Sequence, residues 1–280
     1  MDDKCTVLIN SCDKYEDCWD PFFELLRIHW PDMPEWRIVL NTESKLYQNN
    51  YFPVETFQLY KSGKSIPWGR RLIDTLNMIS TEYVIILLDD FFLENRVDQG
   101  FLEQCIEWMD ENQKLACFCF MPTPGPNIND HKYPRFEKRP QDGLYRMNCQ
   151  AAIWRREKLI SYCRPHEDPW TWEEHGSTRS RRYEDELYSL IEGSPLVFDY
   201  DVEAGGGIHR GKWTARMPEL FRKYGIEVDF SLRGMEELSV KAPQKERGKI
   251  LTFIRKFRPP LIKRMIIIIK MRINVWRSLR

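Results

Sequence analysis

The stretch VIILLDDFFLENR, residues 84–96, decides how the chain is read. Its apolar run has no polar alternation, as expected of a strand covered on both faces by helices, and that environment belongs to parallel α/β sheets. The run ends on two adjacent carboxylates, Asp89 and Asp90. Like charges side by side repel, and burying them costs free energy unless donors or a cation offset it.

Working outward, TVLINSCDKY from Thr6 and WRIVLNTE at 36–43 are short β-type runs ending in polar residues. Between them CWDPFFELLRIHW has helical spacing, with Phe22, Leu25, Leu26 and His29 on one side. The order β-α-β predicts a mostly parallel sheet flanked by helices. ETFQLY predicts a further strand, SIPWGRRLIDTLNMIS a loop and helix, residues 98–112 a helix and LACFCFM a strand. QAAIWRREKLISYC predicts a strand and helix, and DPWTWEEHGSTRSRRYEDELYSLI a turn and helix. PLVFDYDV is expected to be a strand, and EAGGGIHRGKW a glycine-rich turn. The Pro122 to Gln141 segment, rich in Pro, Asn and charge, is a candidate substrate-covering lid. Asp89 and Asp90 then stand at the carboxyl end of a central strand, where open α/β sheets bind ligands.

Composition excludes wholesale disorder: 42% of the 280 residues are hydrophobic, 30% charged and 13% aromatic. The net charge of zero conceals an asymmetry, because residues 249–280 carry ten Lys/Arg and no acid, leaving 32 cations against 42 acids before them. Eight Cys without a CxxC pair, several inside apolar runs, predict reduced cytosolic thiols and no zinc site. The start lacks a signal-peptide pattern and the longest late apolar run is short, so a protein neither secreted nor membrane-spanning is expected.

Three further stretches carry chemistry. GGGIHRGKW at 205–213 combines flexible backbone with His209, Arg210 and Lys212, a natural cradle for a diphosphate, although a glycine hinge with exposed charges has the same composition. PWTWEEHGSTRSRR at 169–182 flanks carboxylates with Trp170 and Trp172. Glu173 or Glu174 there could be a general base with a raised pKa, while the indoles offer faces to a sugar; as an ordinary helix start, the acids would only complement the dipole. SIPWGRRL places Trp68, Gly69, Arg70 and Arg71 at a helix start, an anion site if that end faces the ligand edge.

Taken in order, VLINSCDKY, PWGRRL, VIILLDDFFL, NCQAAIWRREKL, PWTWEEHGS and GGGIHRGKW make residues 4–235 resemble a bacterial GT-A glycosyltransferase of capsule and O-antigen synthesis. The resemblance implies a GT-A-like domain over 1–240 using a nucleotide-sugar donor, UDP favoured, held near Ser11, Cys12 and Asp13, with Asp89 and Arg71 also facing the donor. It implies a divalent metal, Mn²⁺ or Mg²⁺, on Asp90 with His209, and leaving phosphates met by Arg210 and Lys212. Glu173 would be the base of an inverting transfer, and Trp170, Trp172 and Glu174 would meet a glycan or lipid-linked glycan acceptor. The metal motif of that family is Asp-x-Asp, whereas here the acids are adjacent.

Residues 241–280 form a basic extension. On a helical wheel from Ile262, Met265, Ile266, Ile269, Ile273 and Trp276 share a face, with Lys263, Lys270 and Arg277 away from it. That pattern predicts an in-plane helix on the inner leaflet of the cytoplasmic membrane and a peripheral cytoplasmic protein that does not bind nucleic acid. The competing readings are a non-catalytic carbohydrate-binding or scaffold protein and a metal-dependent nucleotidyltransferase.

Overall fold

The computed structural model describes residues 4–60, 66–200 and 206–236. The expected tail at 241–280, and with it the in-plane helix, lies outside the described residues.

The chain runs through β1 (Cys5–Asn10), α1 (Glu16–His29), β2 (Arg37–Thr42), β3 (Val54–Gln58), α2 (Trp68–Met78), β4 (Tyr83–Leu87), α3 (Gln99–Glu111) and β5 (Leu115–Cys119). It continues with β6 (Phe136–Lys138), β7 (Ala152–Arg155), α4 (Arg156–Tyr162), α5 (Pro169–Thr171), α6 (Ser177–Ser180) and β8 (Glu186–Leu190). A hairpin of β9 (Ile208–His209) and β10 (Lys212–Trp213), then α7 (Met217–Lys223), follow. Two helices begin on side-chain caps: Asp98 accepts from the Phe101 amide before α3, and Asp168 from the Thr171 amide before α5.

Eight strands form one sheet in the order β3-β2-β1-β4-β7-β5-β8-β6. β1 pairs in parallel with both β2 and β4, β2 with β3, and β5 with β8; β7 and β6 run antiparallel to their neighbours. The mixed, mostly parallel sheet flanked by helices is therefore as expected. β4 is central, and its residues Tyr83, Val84 and Ile85 are fully buried, which is why the run 83–87 tolerates no polar alternation. α1 packs Trp19, Phe22, Phe23, Leu25 and Leu26 into the same core.

Three expectations are corrected. The segment ending in ELYSL is not a helix throughout: Glu186–Leu190 is β8, because Leu187, Tyr188 and Leu190 find the sheet's interior while the helical part ends at Ser180. PLVFDYDV forms no strand over its described part, 195–200; Val197, Phe198 and Tyr200 are nonetheless buried there. The expected lid at 122–141 is in part sheet: Phe136–Lys138 pairs with β8, Ile128 bridges to Lys138, and Arg139 is buried.

All eight thiols are free, six of them buried, as apolar surroundings favour. No helix among the described residues is long and apolar enough to cross a membrane.

Candidate active site

From β1 the chain passes to β2 and β3 on one side and then to β4 on the other, so the gap between the tips of β1 and β4 is a topological switch point. Ser11 leaves β1 there and Asp89 leaves β4. The Ser11 hydroxyl donates to Asp89 Oδ2, and the α1 indole of Trp19 donates to Ser11 Oγ at 2.7 Å and to Asp89 Oδ2 at 3.1 Å. Asp89 is 4% exposed. Its burial, with the neighbouring charge of Asp90 adding, holds its pKa well above the usual carboxylate range against those two donors.

Asp90 is the more accessible of the pair. Burial raises its pKa to about 6, opposed by its own backbone amide and by the Arg233 guanidinium. With Asp89 engaged by Ser11 and Trp19, Asp90 is the carboxylate left to meet a cation. It fits a hard divalent ion that takes one protein carboxylate together with phosphate oxygens. Among the described residues no group of three or more His, Cys, Asp or Glu side chains could hold a metal by itself. His209, the expected second ligand, lies with Nδ1 3.1 Å from Glu236.

The glycine-rich stretch is brought to the same tip. The Gly207 amide donates to the Asp90 carbonyl at 2.6 Å, and a Cβ on Gly207 would stand 2.2 Å from the Phe92 ring, so only glycine allows this approach. Beyond it, Arg210 and Gly211 occupy the two-residue hairpin turn with φ of 50° and 79°, the left-handed pair a type I′ turn requires. Arg210 and Lys212 are exposed on that hairpin.

Asp13 and Arg71 take supporting positions. The Asp13 carboxylate accepts from the amides of Glu43, Ser44 and Lys45 and from the Ser44 hydroxyl at 2.6 Å, while its own amide donates to Glu43 at 2.7 Å. Burial pushes its pKa up, but these donors outweigh it and the carboxyl lies below its ordinary value. Arg71 is buried, and its Nη1 donates to the Ser11 carbonyl at 2.5 Å. It props the β1 loop from behind. Cys12, in that loop, has its thiol pushed up by burial. The start of α2 is not an open anion site: the Gly69 amide donates to the Glu167 carbonyl at 2.8 Å, and Arg70 pairs with Asp74 at 2.8 Å.

Glu173 sits on the far wall. The register that sets Ala152 opposite Ile86 carries residues 149–151 alongside the tip of β4, and the Cys149 amide donates to Glu173 Oε1 at 2.8 Å. Glu173 and Glu174 lie in a π-helical turn, Trp172–Gly176, a distortion often found at functional sites. Burial raises the Glu173 pKa, as expected, with the Cys149 amide and thiol opposing. The two indoles part company. Trp170 is 77% exposed, whereas Trp172, 3% exposed, packs against Trp68 at 5.7 Å and Trp154 at 6.3 Å. The expectation that both offer a face to an acceptor is thus corrected, because Trp172 belongs to the core.

Sequence reasoning missed Trp19, Tyr200 and Arg233. Tyr200 stacks on Phe91 at 4.6 Å and its hydroxyl accepts from the Ala151 amide at 3.0 Å, tying the β4 tip to the start of β7. Arg233 bonds Asp17 across 216 residues of sequence. The apolar spacing of α1 marks Trp19 as buried, but nothing local signals the other two.

No protein-family profile and no curated protein matches the chain. Among solved structures, the chain is similar to S. aureus TarS residues 1–349, with a TM-score of 0.46 and 14% identity over 68% of this chain and 59% of that one. The mannosyltransferase PcManGT from Pyrobaculum calidifontis, solved with GDP-Man and Mn²⁺, aligns with a TM-score of 0.42 and 14% identity over 74% and 58% of the two chains. A cytidylyltransferase from Leptospira borgpetersenii aligns at 0.42 and 13% identity over 79% and 95%. The match therefore spans less than two thirds of the TarS and PcManGT chains.

Proposed function

We propose that the chain is a glycosyltransferase moving a hexose from a nucleotide-sugar donor, with UDP as its nucleotide, to a hydroxyl of a lipid-linked glycan in bacterial surface polysaccharide synthesis. The observation that carries this reading is the convergence at the switch point. A half-buried carboxylate, Asp90, is joined by its own carbonyl to the backbone of a hairpin bearing Arg210 and Lys212. A site that pairs one carboxylate with exposed cations suits a polyanion accompanied by a metal ion.

In this reading the nucleotide lies over Ser11, Cys12 and Asp13, with Arg71 and Asp89 holding that loop in shape. Asp90 holds Mn²⁺ or Mg²⁺, which when bound neutralises charge on the departing diphosphate. Glu173 takes the proton from the acceptor hydroxyl as the oxygen attacks the anomeric carbon. The bond from that carbon to the diphosphate oxygen breaks, and the diphosphate leaves with the electron pair toward Arg210 and Lys212. A carboxylate with a raised pKa is better matched to this proton transfer near neutral pH than an ordinary Glu. Attack opposite the leaving group inverts the anomeric centre. Trp170 offers the exposed ring for an acceptor sugar, with Glu174 beside it. Residues 241–280 carry the enzyme to the inner leaflet.

A thermal-shift series with UDP-, GDP-, CMP- and dTDP-sugars, each with Mn²⁺ and with chelator, tests the donor class. Metal-dependent stabilisation by one nucleotide family is expected; no stabilisation by any of them would contradict the proposal. Product analysis separates the nucleotidyltransferase alternative, which would release pyrophosphate instead of a nucleoside diphosphate.

A further inference from the structure

The hairpin carrying Arg210 and Lys212 is fastened at two ends. One anchor is the Gly207 amide on the Asp90 carbonyl, continued by the Thr214 amide on the Gly207 carbonyl at 2.9 Å. The other is made after α7, where the chain returns beside β10. There the Trp213 amide donates to the Gly234 carbonyl at 2.9 Å, and the Glu236 amide to the Trp213 carbonyl at 2.8 Å.

Arg233, immediately before that return, reaches the first turn of α1 and the loop that leads into it from β1. Its Nε donates to Asp17 Oδ2 at 2.9 Å and its Nη2 to the Lys14 carbonyl at 2.7 Å, with a second Nη2 bond to Asp17 Oδ1. The guanidinium lies 4.7 Å from the Tyr15 ring centre and 5.9 Å from that of Trp213. The paired side chains are 10% and 15% exposed, so water screens them little, and the fork geometry fixes direction as well as distance. One guanidinium thus joins the hairpin's inner strand to the loop that follows Ser11 and Cys12.

We propose that Arg233, clamped by Asp17, is a positioning residue that sets where Arg210 and Lys212 meet the phosphates of a bound nucleotide. This rests on the nucleotide-sugar reading and adds to it the part that aligns its phosphate contacts. Arg233 acts through the hairpin: its Nε and Nη2 are spent on Asp17 and Lys14, and the double-mutant cycle below separates this role from a direct phosphate contact.

The test is a double-mutant cycle on UDP affinity in the full chain, by calorimetry with Mn²⁺, with GDP, CDP and dTDP as the alternative probes. Arg233→Met is expected to weaken binding about tenfold in the wild-type background and to add little once Arg210 and Lys212 are both Ala, since groups acting through one element are not additive. Asp17→Asn distinguishes positioning from simple charge. Removing an acid near the site should tighten binding of an anion by electrostatics alone, whereas a lost clamp weakens it. Weaker binding in Asp17→Asn together with a non-additive cycle supports the proposal. Additive losses, or tighter binding in Asp17→Asn, would overturn it in favour of direct phosphate contact, and unchanged affinity in both variants would make the pair merely structural. If wild-type protein binds none of the nucleoside diphosphates, the nucleotide-sugar reading falls and takes this inference with it; if it does bind and the pattern fails, only the inference falls.

Discussion

Ser11 and Asp89, at the tips of neighbouring parallel strands, share a hydrogen bond across the switch point of the sheet, and the Trp19 indole donates to both. This contact gives the two adjacent acids different tasks. Asp89 is consumed in holding the crevice shut at its base, and Asp90 is left to face a ligand.

Trp19→Phe keeps an aromatic ring in the core but removes the indole N–H that serves both acceptors, together with part of the buried ring system. The loss of a buried hydrogen bond that serves two acceptors should lower stability by about 1–2 kcal/mol. Denaturant unfolding of both proteins would read it as a lower midpoint with an unchanged slope, and an unchanged midpoint would contradict the role given to Trp19.

The raised pKa of Asp90 fixes a sign for pH dependence. The folded state, with its pKa near 6, holds this proton more tightly than the unfolded chain, whose value is near 3.8. Stability from this group is therefore full below the unfolded value and is lost as pH rises through about 6. Asp90→Asn reduces that slope, leaving the part that comes from the burial of Asp89. Unfolding midpoints at pH 4.5 and 7.0 should show wild type losing more than the variant over the same interval, and parallel losses would contradict the assignment.

The two indoles separate by what they touch. Trp172→Ala opens a cavity between Trp68 and Trp154 and should cost about 3–5 kcal/mol. Trp170→Ala, at an exposed ring, should stay within about 0.5 kcal/mol of wild type while weakening acceptor binding. Comparable destabilisation by both would contradict the division.

Glu173→Gln keeps the bond from the Cys149 amide and removes the base. Transfer should fall by about 10²–10⁴-fold with donor affinity unchanged, measured as turnover alongside calorimetric binding. Retained turnover would remove Glu173 from the chemistry.

Much of the sheet was legible because its strands are short apolar runs between helices of clear periodicity: β1, α1, β2 and β4 follow from residues 5–10, 16–29, 37–42 and 83–87. β8 was hidden because Tyr183 to Asp185 and Ser189 give its surroundings a polar, helix-like spacing, and only pairing with β5 selects a strand. Phe136–Lys138 is too short for any period and becomes β6 through β8. At the site, the acids, the glycines and Glu173 carried local signals. Arg71 showed its charge but not its destination, the Ser11 carbonyl, and Arg233 had no signal, because its partners lie at the other end of the chain.

The most direct test of the central claim is calorimetric titration of UDP- and GDP-sugars, with Mn²⁺ and with chelator, into wild-type protein and Asp90→Asn. Metal-dependent binding of one nucleotide-sugar class to wild type is expected, and its loss in a variant that still folds. Equal binding by Asp90→Asn, or no binding of any donor by wild type, would contradict it.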